Sequence, residues 1–429
     1  KLDEAIEAFE KALFFNPNLS NAYFNIGNVL KLQNKPEKAV EAYQRAISIK
    51  PDYAEAYYNM GVALHVQKKL DEAITAYKKA LHYKSDFAEA HNNMGNALKD
   101  QGKLKETIKA YQRALSIKPN FLEAIENFSS VEVQLIDTNL VPKISTYGAK
   151  IPNYKTENMP KYEIISAINA FINAGLKLAQ KHLTNFSTCS AKSKDALNKK
   201  NKTFCSAYNR FLTKLVKQPL NKDFSNLKAL IYHLGDSHCL SFAHQFISIK
   251  GSAYQIVPKI TFGAKAFHFS RKADNEFKSI TQENFKAIPE YSKVFISFGE
   301  IDCRPNEGLI TAAAKFNAPI EDLISDTVRN YINWFSKQNK MRNHNLFFLN
   351  VPAPIYDEKY DAKTNKKVAN TIKKFNETMR QQILNCEFGL IDVFKVTVSK
   401  NGFSNGLFHI DNRHLKTNMI SEIEKQMAV

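Results

Sequence analysis

Gly27, Gly61 and Gly95 recur at a spacing of 34 residues, as do Ala46, Ala80 and Ala114; Pro17, Pro51 and Pro119 keep the same register, with Ser85 standing in once. A fixed period of this length constrains a chain more than its composition does, because each unit must fold like its neighbours and bury its apolar face against them. Within one period the segment from Asn21 to Leu32 carries apolar residues at helical spacing, and Pro36 to Ile49 does so again before a proline ends it. Each unit therefore reads as a helical hairpin. The recurring small residues mark where the two helices of a hairpin approach too closely for a larger side chain.

These repeats resemble the tetratricopeptide repeat (TPR), in a degenerate form in which Tyr23 or Tyr57 stands for the family's Trp. The match runs from residue 1 to about 122: a half repeat, three full repeats and a capping helix from Leu122 to about Gln134. The resemblance implies an α-solenoid whose concave groove binds a protein or peptide. Asn25, Asn59 and Asn93 each lie two residues before a repeat glycine. In the similar repeats of O-linked N-acetylglucosamine transferase, asparagines at that position form a ladder that holds a peptide backbone. A primary amide suits this task, having donors and an acceptor together.

After Gln134, Pro142, Gly148, Pro152 and Pro160 punctuate a stretch expected to be a linker, followed by helical patterns over Tyr162–His182 and Phe204–Val216. The net charge of +18 concentrates here, with 14 basic and 3 acidic residues from Pro142 to Lys217. No aromatic interleaving or arginine fork accompanies the lysines, so a solvated polar segment is expected rather than a specific nucleic-acid site. From Ala229 onward, short β-rich runs (Ala229–Leu234, Tyr254–Ile260, Val294–Phe298, Leu346–Val351, Leu390–Val393) alternate with helical patterns such as Ile320–Phe335 and Lys366–Leu384. This alternation predicts a mostly parallel sheet covered on both faces, an α/β/α sandwich, with its chemistry at the carboxyl ends of the strands. The expected organisation is 1–134 solenoid, 135–227 linker and lysine-rich helical segment, and 228–429 sandwich.

The first strand closes as His233-Leu234-Gly235-Asp236-Ser237-His238, and the chain nears its end with Asp411-Asn412-Arg413-His414-Leu415. A serine in a tight turn after a strand, with an Asp-x-x-His elsewhere, is the arrangement a nucleophile, its base and the base's orienting carboxylate require. These residues resemble the SGNH or GDSL-like hydrolase family over roughly Lys228 to Leu415, and the flavodoxin-like sandwich is that family's fold. The resemblance implies Ser237, His414 and Asp411 as the triad and the N–H groups of Ser237 and Gly263 as the oxyanion hole. The substrate implied is an acyl ester, favoured to be an acetylated glycan, cleaved by an esterase or moved by an acyltransferase. Gly299-Glu300-Ile301-Asp302 sits where the family has Gly-x-Asn-Asp, so Ile301 replaces an amide donor; Arg304 is the nearest candidate substitute. Asp236, His238, Glu300, Asp302 and Arg304 are candidate pocket residues, and His268 and His409 lie near them by position.

The five cysteines form no CxxC pair, so neither a disulfide framework nor a zinc site is expected, and no metal or cofactor is called for. Cys239 and Cys303 read as small buried residues, and a reducing, cytoplasmic setting fits. No run of about 18 apolar residues exists to span a bilayer. Lys1 opens the chain inside a helical pattern, so the natural N-terminus is expected to be missing and export unreadable from it. The rival expectation is a non-catalytic TPR scaffold whose SGNH-like domain is silent because of Ile301.

Overall fold

The structure is a computed structural model that describes residues 2–135, 160–173, 175–195, 197–218, 229–306, 308–411 and 413–428. The expected linker around Pro142, Gly148 and Pro152 lies outside the described residues. Residues up to Val131 form one compact unit; Glu132–Leu135 and the described residues from Pro160 onward belong to the other.

In the first unit, α1 (Leu2–Phe15) is followed by the hairpins α2 (Ser20–Leu32) with α3 (Pro36–Ile49), α4 (Ala54–Val66) with α5 (Leu70–Tyr83) and α6 (Ala88–Asp100) with α7 (Leu104–Ile117), then α8 (Leu122–Gln134). A Cβ built on Gly27, Gly61 or Gly95 would meet the ring of Tyr43, Tyr77 or Tyr111 at 2.5, 2.7 and 2.6 Å. These tyrosines are fully buried, so glycine is what lets each pair of helices close. The turn inside each hairpin also repeats: Asn34, Lys68 and Gly102 take φ of 58°, 62° and 77°. Lys69 N donates back to Leu64 O and Lys68 N to His65 O, the pairing that satisfies a helix's last carbonyls around a left-handed residue. Lysine adopts that conformation at a cost that glycine avoids. Lys68→Gly is therefore expected to stabilise the full chain by about 1 kcal/mol, read as a higher denaturation midpoint.

The second unit begins its helical part with α9 (Pro160–Ile172), α10 (Leu176–Thr188), α11 (Ala191–Asp195) and α12 (Lys199–Leu215). The single helical pattern expected over Tyr162–His182 is two helices, broken before Gly175. Then come β1 (Leu230–Gly235), β2 (Phe246–Ile249), β3 (Ser252–Ile260), α13 (Ala266–Ser270), α14 (Glu276–Ala287), β4 (Lys293–Ser297), α15 (Leu309–Phe316), α16 (Ile320–Asn339), β5 (Asn345–Leu349), α17 (Ala362–Leu384), β6 (Gly389–Ile391), α18 (Val393–Thr397) and α19 (Ile420–Ala428). The sheet is mixed, in the order β2-β3-β1-β4-β5-β6. Five strands run parallel, and β2 pairs antiparallel with β3 at the edge.

Alternate residues of a strand face opposite sides. Val294 and Ile296 pack with Phe285 of α14, Tyr331 and Phe335 of α16 and Phe375 of α17. Phe295 between them packs with Phe242, Ile391 and Ile423 of α19. A third cluster joins α9, α10 and α12, through Ile168, Leu183 and Phe211, to Leu240 and Ile260 beside the carboxyl ends of β1 and β3. The register sets Gly235 opposite both Ile260 and Ser297, so the loops after β1, β3 and β4 leave the sheet at one edge. Those loops carry Ser237, Gly263 and Glu300. A Cβ on Gly235 would run into Ser297, which keeps the last residue before the turn a glycine.

Candidate active site

Beyond β1 the chain turns at Asp236 into a short 3-10 segment, Ser237–Phe242. Asp236 caps it by accepting from the His238 backbone N–H at 2.9 Å, which fixes the serine at the tip of the turn. Ser237 Oγ lies 2.8 Å from His414 Nε2. His414 Nδ1 in turn contacts both carboxylate oxygens of Asp411, at 3.0 and 2.9 Å. The same carboxylate accepts the backbone N–H groups of Arg413 and His414 at 2.8 and 2.9 Å, so Asp411 both folds its own loop and orients the imidazole it carries. Ile410 N donates to His414 O at 2.8 Å and closes the loop.

Helix α12, expected from sequence as the helical pattern over Phe204–Val216, builds one wall of this site. The Phe211 ring lies flat on the His414 imidazole, centroids 3.7 Å apart and planes 15° from parallel. Lys214 Nζ donates to Ile410 O at 3.0 Å, and Gln218 Oε1 accepts from Thr417 Oγ1 at 2.9 Å, so the chain at the end of α12 latches both flanks of the Asp411–His414 loop. Tyr208, one turn before Phe211, lies close enough to Asp236 and Ser237 for both to act on the ionisation of its phenol. Aromatic residues at i and i+3 share a helix face, which the sequence displays, but periodicity does not say what that face meets.

Burial pushes His414 below its ordinary value; Asp411 pulls it up, and the neighbouring His238 pushes it down. Asp411 is held well below the usual carboxylate range: burial opposes this, but the His414 hydrogen bond and the two backbone donors prevail. The resting pair is thus a carboxylate beside a neutral imidazole, the protonation states that proton abstraction from Ser237 needs.

Among the other candidates, His238 forms a second Asp–His pair. Its Nδ1 meets Asp236 Oδ1 at 2.7 Å, and its Nε2 donates to Arg413 O at 3.1 Å. Burial opposes the charge, yet Asp236 and Glu300 hold His238 up to about 9. Asp236 and His238 therefore act as a clasp between the serine turn and the loop bearing Asp411 and His414. Asp302 does not face the cleft. Its oxygens accept the N–H groups of Ala266 and Phe267 at 2.7 and 3.0 Å, so it caps α13, and burial pushes it up to about 7. His268 caps the same helix through Lys265 N at 3.0 Å and stacks on Phe277.

Glu300 and Arg304 do line a cleft of about 800 Å3, open solvent included, with Pro352, Tyr360, His409 and Arg413. Arg304 grips Glu300 with two nitrogens at 3.0 and 2.6 Å. Burial works against ionisation of Glu300, but Arg304 holds it at about 2. That fork engages Nε and one terminal nitrogen of Arg304 with its neighbour. Ile301 itself is a buried apolar side chain. Gly263 turns at φ 67° just beyond β3, where its small size leaves the backbone exposed. Cys239 and Cys303 are buried thiols raised well above their ordinary value by burial, unsuited to nucleophilic chemistry.

In the first unit, Asn25, Asn59 and Asn93 are half-buried on α2, α4 and α6. Asn59 donates to Asn28 Oδ1 at 3.0 Å and accepts from Lys31 Nζ at 3.1 Å. Asn93 donates to the Tyr58 hydroxyl at 2.9 Å and accepts from Asn92 at 3.3 Å. Two of the three amides thus tie adjacent repeats together. No group of three His, Cys, Asp or Glu side chains able to hold a metal occurs among the described residues, and no described helix is long and apolar enough to cross a membrane.

The family model described as TPR repeat matches residues 27–68 and 63–102, and that described as tetratricopeptide repeat matches 88–121. The first 120 or so residues therefore carry TPR repeats. No curated protein matches the chain. Among solved structures, MamA is 20% identical, covering 45% of this chain and 89% of its own, with a TM-score of 0.29. YrrB, described as a TPR protein with an unusual peptide-binding site, is 20% identical over 47% of this chain and 99% of its own, TM-score 0.34. The second TPR domain of human RPAP3, solved with an HSP70 peptide, is 25% identical over 25% of this chain and 89% of its own, TM-score 0.25.

Proposed function

We propose that this TPR protein is an SGNH-type serine esterase or acyltransferase whose repeats bind a protein or peptide partner. The observation that carries the enzymatic half is the continuous hydrogen-bonded chain from Ser237 through His414 to Asp411 at the carboxyl edge of a mostly parallel sheet. With edge strand β2 set aside, the parallel strands follow the order of a flavodoxin-like doubly wound sheet, which favours the SGNH reading. In the proposed reaction His414 Nε2 takes the Ser237 proton as Oγ attacks the ester carbonyl. The N–H groups of Ser237 and Gly263 receive the developing oxyanion, and the imidazolium returns its proton to the leaving alkoxide. Water or a sugar hydroxyl then takes the acyl group by the reverse steps. The polar cleft beside Arg304, Tyr360 and Arg413 suits a polyhydroxylated acceptor, in line with an acetylated glycan.

One observation favours the rival reading, a silent domain on a TPR scaffold: Ile301 at the position of the resembled family's amide donor. Hydrolysis of an aryl acetate and of an acetylated oligosaccharide by wild type and Ser237→Ala separates the two. Turnover in wild type that falls by about 10⁴-fold or more in Ser237→Ala is expected; folded wild type without turnover on either ester would leave the scaffold reading.

A further inference from the structure

Acyl transfer with only the Ser237 and Gly263 N–H groups would leave the oxyanion short of the side-chain donor that Ile301 lacks. We propose that Tyr208 fills this vacancy, its phenolic O–H forming the third hydrogen bond to the tetrahedral oxyanion. The inference rests on the serine-hydrolase reading and adds a catalytic residue from outside the sheet and its loops.

Three placements converge on Tyr208. It shares a face of α12 with Phe211, whose ring covers the His414 imidazole, so that face is turned to the triad. Its own ring meets Phe262 edge-on with centroids 5.6 Å apart, and Phe204, a turn earlier, packs on Phe262 as well. Phe262 immediately precedes Gly263, so Tyr208 stands beside the turn that carries the second backbone donor. Finally, the Tyr208 phenol lies close enough to Asp236 and Ser237 for both to act on its ionisation. Two other donors nearby are engaged, Arg304 by Glu300 and the Asn350 amide by Asp392.

Burial raises Tyr208 well above the ordinary phenol value, so it stays protonated and keeps its O–H to donate. As the Oγ–carbon bond forms, the carbonyl π pair moves onto oxygen and the serine proton passes to His414 Nε2. The phenol donates to the new oxyanion, which sits on the carbon that Oγ has attacked, without giving up its own proton. When the tetrahedral centre collapses, the leaving alkoxide takes the proton from His414 and the Tyr208 bond relaxes. A donor aimed where charge develops is stronger in the transition state than in the ground state, so it acts on kcat more than on KM.

Tyr208→Phe removes one oxygen and keeps the ring against Phe262. Its kcat on the aryl acetate is expected to fall about 10²- to 10³-fold with KM nearly unchanged. Phosphonylation of Ser237 by a fluorophosphonate should slow in parallel, because the phosphoryl oxygen takes the oxyanion's place. Tyr208→Phe that turns over and labels at wild-type rates would overturn the role of Tyr208 and leave the hydrolase reading intact. Wild type that neither turns over nor labels would overturn both.

Discussion

His414→Ala is expected to abolish most ester turnover, by about 10⁴- to 10⁶-fold in kcat, with little change in substrate binding. The imidazole is held from three sides, by Ser237 Oγ at 2.8 Å, by Asp411 at 2.9 Å and by the Phe211 ring at 3.7 Å, so no other base can take its place without moving the loop. Its pH dependence has a sign. A general base works when neutral, and burial, with the charged His238 beside it, sets His414 below the ordinary imidazole value of 6.5. Plots of kcat/KM against pH should therefore be flat at neutral pH and fall on the acid side, with an apparent pKa under 6.5. His238→Phe removes a positive neighbour, and the acid limb should move up toward neutrality; steady-state rates across buffered pH check both.

Gly61→Val should destabilise the chain by about 3 kcal/mol or more, as overpacking in a tight core does. The first added carbon would already sit 2.7 Å from the Tyr77 ring, and that ring is fully buried in a cluster with Leu64, Ala73 and Ala97, with nowhere to withdraw. Position 61 lies in the middle of α4, where replacing glycine by alanine normally adds about 1 kcal/mol of helix stability. Even Gly61→Ala should therefore lower the denaturation midpoint, and this reversal of the usual sign separates a packing glycine from a merely flexible one. Circular dichroism of the full chain under increasing denaturant gives the answer.

The repeats are legible because period and packing coincide. Helix α3 spans the Pro36–Ile49 segment read from its apolar spacing, and α2 starts one residue ahead of Asn21. Strands β1, β3, β4, β5 and β6 fall within the β-rich runs or within a few residues of them, since strands of a parallel sheet are apolar on both faces and stand out. Edge strand β2 gives no such signal: its four residues after a turn at His244, φ 63°, are too short a run to mark a strand. Ser237, Asp411 and His414 are recognisable because the serine turn and the Asp-x-x-His loop are local patterns. What faces them is not local. Tyr208 and Phe211 look like core aromatics of a polar helix, and only tertiary packing shows that α12 covers the triad. Asp302 illustrates the opposite difficulty. An acidic residue in a strand-end cluster looks like a pocket residue, whereas its two oxygens are taken by the first N–H groups of α13, a partner 36 residues away in sequence.

The central claim is that Ser237 is an activated nucleophile. Its most direct test is to expose folded wild-type protein to a fluorophosphonate and measure the intact mass, with peptide mapping of any adduct. The account predicts a single phosphonyl group on Ser237, absent in Ser237→Ala and strongly retarded in His414→Ala. Folded wild type that takes no label, or label that persists in Ser237→Ala, would contradict it.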